Sequence, residues 1–412
     1  MRTVGIVVEY NPLHNGHLYH IQQSRKITGA EAVVAVMSGH FLQRGEPAIA
    51  DKWARAEMAL RAGCDLVLEL PVAYSAQPAQ WFAHGAVAVL EATGVVDALC
   101  FGSESGDLAT LARIADRLVR EPEALKRRLA ELLKEGRPYP TAYADAVREL
   151  LAAEGDAAGA AFGLDQPNHT LGLHYLLALR RLGSRIVPAS IRREKSEYGQ
   201  TSITDQAIAS ATALRKLIGE ADGALDGLAP YVPASTLEIL LREAAAGRAP
   251  LTWEHFARPL FHQLHALSPE ALAAFAEVTE GLEHRIRASL RGLAAWRVEA
   301  LLDALKTKRY TRTKLQRTLL RTLLGHGKAE LTAERLADGV RYVRVLGFTE
   351  RGQGLLRRMK RAASVPVLHS AAGGNWPFLD LDVRASAVYA AAFPVPDPNA
   401  AWRDYTLPPV RI

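Results

Sequence analysis

The chain predicts an α/β fold: a doubly wound, Rossmann-like parallel sheet, interrupted by a helical insertion and followed by a mostly α-helical C-terminal region. Three observations predict it. Short apolar runs alternate with helix-length segments over the first 110 residues, the pattern of parallel strands covered on both faces. Residues 107–161 then keep only helical periodicity, rich in Ala, Leu and Arg, before strand and helix signals resume. Beyond Pro230 the chain reads as almost all helix to about residue 363, with breaks near Gly247, Pro259, Pro269 and Gly325.

Taken in order, residues 4–8 (Val-Gly-Ile-Val-Val) form a buried strand and residues 18–25 a helix. Residues 32–36 are a second strand, 51–62 a helix, and 65–70 a third strand stopped by Pro71. A helix over 79–92 leads into a strand at 98–101. After the insertion come a helix over 170–182, a strand at 185–188, a polar loop over 192–204 and a helix over 211–219. These elements define a first domain, 1–225, and a second, mainly helical one, 226–412, whose Pro-rich tail at 394–409 is expected to wrap over a neighbouring surface.

Size and composition narrow the class. With 412 residues, 49% apolar and 23% charged, the chain has ample core and is not disordered as a whole. No apolar run approaches the roughly 20 residues needed to span a bilayer. The N-terminus enters a strand without a basic region or cleavage site, so a cytoplasmic protein without membrane contact is expected. Cys64 and Cys100 are then expected as buried thiols. Positive charge is unevenly spread: residues 306–328 hold eight Lys or Arg and no carboxylate. Arg351, Arg357, Arg358, Lys360 and Arg361 make a second cluster. Such concentration points to a polyanion. Nothing implies a protein partner.

The segment between the first strand and first helix carries the chemistry. Glu9-Tyr-Asn-Pro-Leu-His14-Asn15-Gly16-His17 delivers two imidazoles, three residues apart, to the first turn of a helix. Helix N-termini offer open N–H groups and positive dipole ends, so this is a phosphate-handling arrangement. His14 and His17 can donate to phosphate oxygens as charge builds, and Gly16 lets a flat base approach the backbone. The alternative, half of a metal site, lacks a second His or Cys pair at zinc spacing, so no protein-held metal is expected.

Further candidates lie at strand ends. Ser210-Ala-Thr212-Ala-Leu-Arg215 resembles the Ser-Ser-Thr-X-Ile-Arg element that opens a late helix in nucleotidyltransferases, which implies that its hydroxyls and arginine hold β- and γ-phosphates, although Ser and Thr there are also ordinary caps. Arg192, Arg193 and Lys195 put three cations in four positions on a loop that could clamp triphosphate or departing pyrophosphate. The loop from Ser38 to Pro47 offers Ser38, Gly39, Gln43 and Arg44 to a substrate, and Asp51, Lys52 and Arg55 continue that edge. Residues 308–317 interleave Lys308, Arg309, Arg312, Lys314 and Arg317 with Tyr310 and hydroxyls, and Lys306 precedes them. Leu315, Leu319 and Leu323 supply an apolar stripe, so an amphipathic helix with outward cations is expected to meet RNA backbone.

Together these residues resemble one family, the bacterial tRNA(Met) cytidine acetate ligases. The similarity runs through residues 5–17, 38–47 and 65–71, then Phe101-Gly-Ser-Glu104, Pro167-Asn168, Leu171-Gly172, the Ser210 motif and residues 309–317. The resemblance implies a nucleotidyltransferase-like version of the predicted fold and a two-step reaction. Acetate is activated with ATP, accompanied by Mg²⁺, to acetyl-adenylate. The acetyl group then passes to N4 of the wobble cytidine of elongator tRNA(Met). It further implies an ATP site made of Ile6, Val7, Val8, Glu9, Tyr10, Asn11, Pro12, Leu13, His14, Asn15, Gly16, His17, Leu18, Tyr19 and His20, with Gly102, Asn168 and Arg193. The chain departs from the family pattern at His169, where an asparagine is usual, and at His174, where an acidic residue commonly precedes Tyr175. The residues alone leave open a small-molecule adenylyltransferase, or an RNA-binding protein with a regulatory nucleotide site.

Overall fold

The computed structural model of this protein describes residues 1–192, 209–221 and 223–412. Among them, eight strands form one sheet: β1 (Thr3–Val8), β2 (Ala32–Ser38), β3 (Leu66–Leu70), β4 (Ala98–Ser103), β5 (Val187–Arg192), β6 (Val343–Phe348), β7 (Val367–Leu368) and β8 (Val410–Arg411). The order is β5-β4-β1-β2-β3-β6-β7, with β8 also on β6. The first five strands are parallel, and β6 joins β3 antiparallel.

Side-chain alternation explains the two covered faces. Val4, Ile6, Val33, Ala35, Met37 and Val67 face one core with the helices α1 (Asn15–Thr28) and α2 (Lys52–Arg61). Val34, Val36, Leu66, Leu68 and Leu70 face the other, covered by helices including Ala79–Ala92 and Pro167–Arg181. Both faces are buried, which is why the strands read as unbroken apolar runs. Cys64 and Cys100 are free, buried thiols; burial pushes Cys64 up to about 12 and Cys100 up to about 11. Among the described residues no helix is long and apolar enough to cross a membrane.

Because the chain lays β2 on one side of β1 and β4 on the other, the strand order reverses at β1. The crevice beyond the C-terminal ends of β1 and β4 is where such sheets bind ligands. The segments 9–17 and 102–104 both leave the sheet there.

Two expectations need correcting. The stretch from Pro230 to residue 363 is not all helix, because Val343–Phe348 is a strand paired with β3 across one register shift. Its six residues could serve either structure by pattern, and the partner that decides, β3, lies about 275 residues upstream. Strand β5 also runs later than expected, ending on Arg192. The C-terminal part of the chain therefore shares the sheet of the N-terminal part. A buried ion-pair network seals this junction: Lys52 Nζ lies 2.7 Å from Glu69 and 2.8 Å from Asp404, and Arg344 lies 3.2 Å from Asp404. Burial opposes the Lys52 charge, but Asp404 and Glu69 raise its pKa above the ordinary lysine value. The Pro-rich tail is likewise held, by Val395 N–H on the Gly247 carbonyl and Arg403 on Asp51.

Candidate active site

Beyond β1 and β4 lies a cavity of about 510 Å³. It is lined by Glu9, Tyr10, Asn11, His14, Gly16, His17, Gln43, Arg44, Gly102, Asn168, Ser210, Thr212 and Arg215 among the expected residues, together with Val7, Val8, Tyr19 and His20. Five segments separated in sequence thus converge on one space.

His14 is the N-cap of α1. Its backbone is extended (φ −132°, ψ 173°), and its Nδ1 accepts from Gly16 N at 3.1 Å. His17 Nδ1 accepts from His14 N at 3.2 Å. This reciprocal cap satisfies two of the open N–H groups at the helix start. It also decides the tautomer: with both Nδ1 atoms accepting, the neutral rings carry their protons on Nε2. The rings stack at 3.7 Å between centroids, and Tyr10 meets His17 edge-on at 5.0 Å. Tyr10 reaches this position through a left-handed backbone, φ 51°, which costs a non-glycine residue about 1–2 kcal/mol and is held by burial of its ring.

Asn11 closes the floor. Its Oδ1 accepts from Ile49 N at 2.8 Å, which leaves a buried Nδ2 with no partner among the described residues. Its carbonyl accepts from Arg215 Nη1 at 3.1 Å, and Arg215 Nη2 pairs with Glu46 at 3.1 Å. Ser210 caps the helix Ala211–Glu220 by accepting from Ala213 N at 3.1 Å.

Glu9 follows β1 directly. Its Oε1 accepts from Gln43 N at 2.7 Å and Ser38 Oγ at 3.1 Å, while burial raises its carboxyl above the ordinary value. Arg55, fully buried, donates to the Glu9, Ser38 and Gly39 carbonyls and so ties the ends of β1 and β2 together. Glu104 caps the helix Pro167–Arg181, accepting from Asn168 N, Asn168 Nδ2 and His169 N at 2.7–2.9 Å. His169 bridges the Gly163 carbonyl (2.9 Å) and Ser105 N (3.0 Å), a structural task. His174 is buried against Tyr143, and burial holds it down to about 4.

Not every expected residue reaches the cavity. Ile6 and Leu13 are in the core, and Pro12 and Leu18 do not line the space. Asn15 turns away, donating to the Tyr231 and Pro230 carbonyls. Ser38 and Gly39 support the loop from behind, and Asp51 and Lys52 hold the C-terminal tail instead of a substrate. Arg193 lies outside the described residues. Arg192, at the end of β5, does line the cavity, as do Phe82, Phe101, Leu171 and Tyr175, which sequence reasoning missed. Their only sequence signal is aromatic or apolar character near a strand end or helix face, which a core residue shares.

The basic segment forms the helix Arg312–Leu324, but not with all cations outward. Lys306, Lys308 and Arg309 are exposed. Arg309 pairs with Glu280 at 2.6 Å and Arg312 with Glu299. Lys314 and Arg317 lie over Glu277, at 3.9 and 2.7 Å, and Arg317 and Arg321 are buried. A run free of acid in sequence is therefore not free of acid in space. The second basic cluster lies by the N-terminal ends of β1 and β2: Arg351 and Arg358 contact the Glu31 and Met1 carbonyls.

Gly45 joins cavity and basic helix. It adopts φ 79°, and a Cβ there would stand 2.5 Å from Arg317 N, so glycine is needed for both conformation and approach. Gln316 then reaches Glu46 at 3.2 Å.

Comparison with known proteins places this geometry. The family model for HIGH nucleotidyl transferases matches residues 1–403. The tRNA(Met) cytidine acetate ligase of Acetivibrio thermocellus is 40% identical over 415 residues, covering 98% of this chain and 99% of that protein. The protein of the same name from Bacillus subtilis is 40% identical over 405 residues, covering 97% and 94%. Two crystal structures of Thermotoga maritima TmcAL, 35% identical and covering 100% of both chains, superpose with TM-scores of 0.93 (apo) and 0.91 (bound with alpha-thio ATP).

Proposed function

The chain belongs to the tRNA(Met) cytidine acetate ligase family of HIGH nucleotidyl transferases, and from that premise we propose that it activates acetate with ATP and acetylates N4 of the wobble cytidine of elongator tRNA(Met). The observation that carries the chemical half is the pair of Nδ1-capped histidines, whose Nε2–H groups are donors at a helix N-terminus.

In the first step an acetate oxygen attacks the α-phosphorus of ATP and pyrophosphate leaves. Acetate is already ionised at neutral pH, so the step needs charge stabilisation more than a base. His14 and His17 supply it to the α-phosphate oxygens. Ser210, Thr212 and the N-terminus of the helix Ala211–Glu220 receive the β- and γ-phosphates, with Arg215 as counter-charge. Phe82, Phe101 and Tyr175 offer flat apolar surface beside Gly102 for the adenine. Mg²⁺ comes with the triphosphate and neutralises part of its charge. In the second step the cytosine N4 attacks the acyl carbon, AMP leaves, and the amine loses a proton. The cytidine must leave its stack to reach the cavity. The exposed Lys306, Lys308 and Arg309, with the less exposed Arg312, Lys314 and Arg317, provide the electrostatic approach for RNA.

The test is acetate-dependent exchange of pyrophosphate into ATP, followed by mass analysis of tRNA(Met) incubated with the protein, ATP and acetate. Exchange that needs acetate, and a wobble cytidine heavier by one acetyl group, are expected. Exchange supported by nicotinamide mononucleotide or phosphopantetheine in place of acetate would overturn the reading.

A further inference from the structure

We propose that a second pocket, between Gln77 and the helix Arg312–Leu324, binds a backbone phosphate of the RNA next to the nucleotide that enters the active cavity. This rests on the reading that RNA is the acyl acceptor. The pocket has a volume of about 310 Å³ and is lined by Gln77, Glu277, Thr279, Arg321 and Lys328 among others.

Arg321 is the reason to expect an anion there. Its side chain is fully buried, yet among the described residues no carboxylate pairs with it. Nη1 donates to the Val72 carbonyl at 3.3 Å and to His326 Nδ1 at 2.8 Å, and Nη2 donates to the Ala76 carbonyl. Nε has no partner among the described residues. A buried guanidinium without a paired carboxylate is costly, and an anion in the pocket that Arg321 lines offsets its charge through space.

Neighbouring charge points the same way. Lys314 Nζ donates to the Glu277 carbonyl at 3.0 Å and lies 3.3 Å from Thr279 Oγ1. Glu277 stands at φ 65°, a left-handed backbone that aims its carbonyl at Lys314 and gives its carboxylate to Arg317. Lys328 is exposed and has no acidic partner among the described residues. Four cations therefore surround one carboxylate, Glu277, with Glu280 already taken by Arg309.

The two pockets share a wall, which identifies the anion as RNA. Gln43 lines the active cavity, and its Nε2 donates to the carbonyl of Gln77, which lines the second pocket (3.1 Å). Gln316 bonds Glu46 of the active cavity, while the next residue, Arg317, bonds Glu277 of the second pocket. A strand that sends its base into the first space carries its backbone across this rim to the second.

The test uses Lys328→Ala and Lys328→Glu in the full chain, with KM for tRNA(Met) measured over a range of salt and acetate-dependent exchange measured alongside. Loss of one charge-assisted hydrogen bond raises KM for tRNA about tenfold in Lys328→Ala. It also flattens the log–log salt dependence by about 0.7, the share of one single-strand phosphate. Lys328→Glu has the larger effect, Lys328→Arg restores most of the affinity, and exchange stays at the wild-type rate in all three. Unchanged tRNA KM and salt slope, in a protein that does make N4-acetylcytidine, overturn the second site while leaving the function intact. A wild type that makes no N4-acetylcytidine overturns both. Inorganic phosphate that binds the wild type but not Lys328→Glu, with tRNA KM unmoved, assigns the pocket to a free anion and overturns its assignment to RNA.

Discussion

Gln316 donates its side-chain amide to Glu46 Oε1 at 3.2 Å, across 270 residues of sequence. The other oxygen of Glu46 is held by Arg215. One carboxylate thus connects the expected triphosphate arginine to the helix expected to meet RNA.

The two contacts are separable. Arg215→Ala removes a charge from the cavity and should raise KM for ATP in the exchange assay about tenfold or more, the scale of one charged hydrogen bond. Gln316→Ala leaves the Arg215–Glu46 pair in place and should keep KM for ATP near the wild-type value. Equal effects from the two substitutions would show that Arg215 acts only through the loop and not on the nucleotide.

Histidine 14 caps a helix and also faces the cavity, so alanine there confounds two roles. His14→Asn keeps a good N-cap while removing the Nε2 donor. It should melt near the wild-type temperature yet lose exchange by about 10²–10³, as His17→Ala should, because each removes one preorganised donor. A His14→Asn protein with full exchange activity refutes the donor role.

On the basic helix, Lys308→Ala and Arg312→Ala should both spare exchange and weaken acetyl transfer to tRNA. The structure ranks them: Lys308 is exposed, whereas Arg312 already pairs with Glu299, so the lysine should cost more affinity. Transfer kinetics at two salt concentrations checks the order. Loss of exchange in either variant, with the fold intact, would show that this helix serves the activation step.

Lys52→Met leaves buried Glu69 without its cation and Asp404 with Arg344 alone, and should destabilise the protein by about 3–5 kcal/mol in denaturant melts. The same network gives stability a pH window. Burial works against the Asp404 charge, but Lys52 and Arg344 hold its folded pKa below the ordinary carboxylate value. Its contribution is therefore complete above the unfolded pKa and is lost as pH falls through the folded one. The raised pKa of Lys52 acts oppositely: its contribution is complete below the ordinary lysine value and is lost as pH rises through the folded one. Melts of wild type and Lys52→Met across pH should converge at both extremes.

The legible parts of this protein were those whose signal is local. Runs such as residues 32–36 declare a buried strand because both faces must be apolar, and His14-Asn-Gly-His17 declares a helix start because its cap acts over one turn. The aromatic wall of the cavity was not legible, since Phe101 and Tyr175 look like core residues until the space between them is seen. Nor was the fate of the basic run: Glu277, Glu280 and Glu299, which take up its charge, come from segments that sequence distance does not connect to it.

By itself, then, the sequence determined the parallel α/β architecture, the helix start with two histidines after β1 and the family resemblance, all properties of contiguous residues. Only the tertiary structure decided that Val343–Phe348 completes the sheet, that Arg317 and Arg321 turn inward, and that Glu46 stands between the two halves. Strand pairing and charge burial depend on which distant segments meet, and that is set by packing the whole chain against itself.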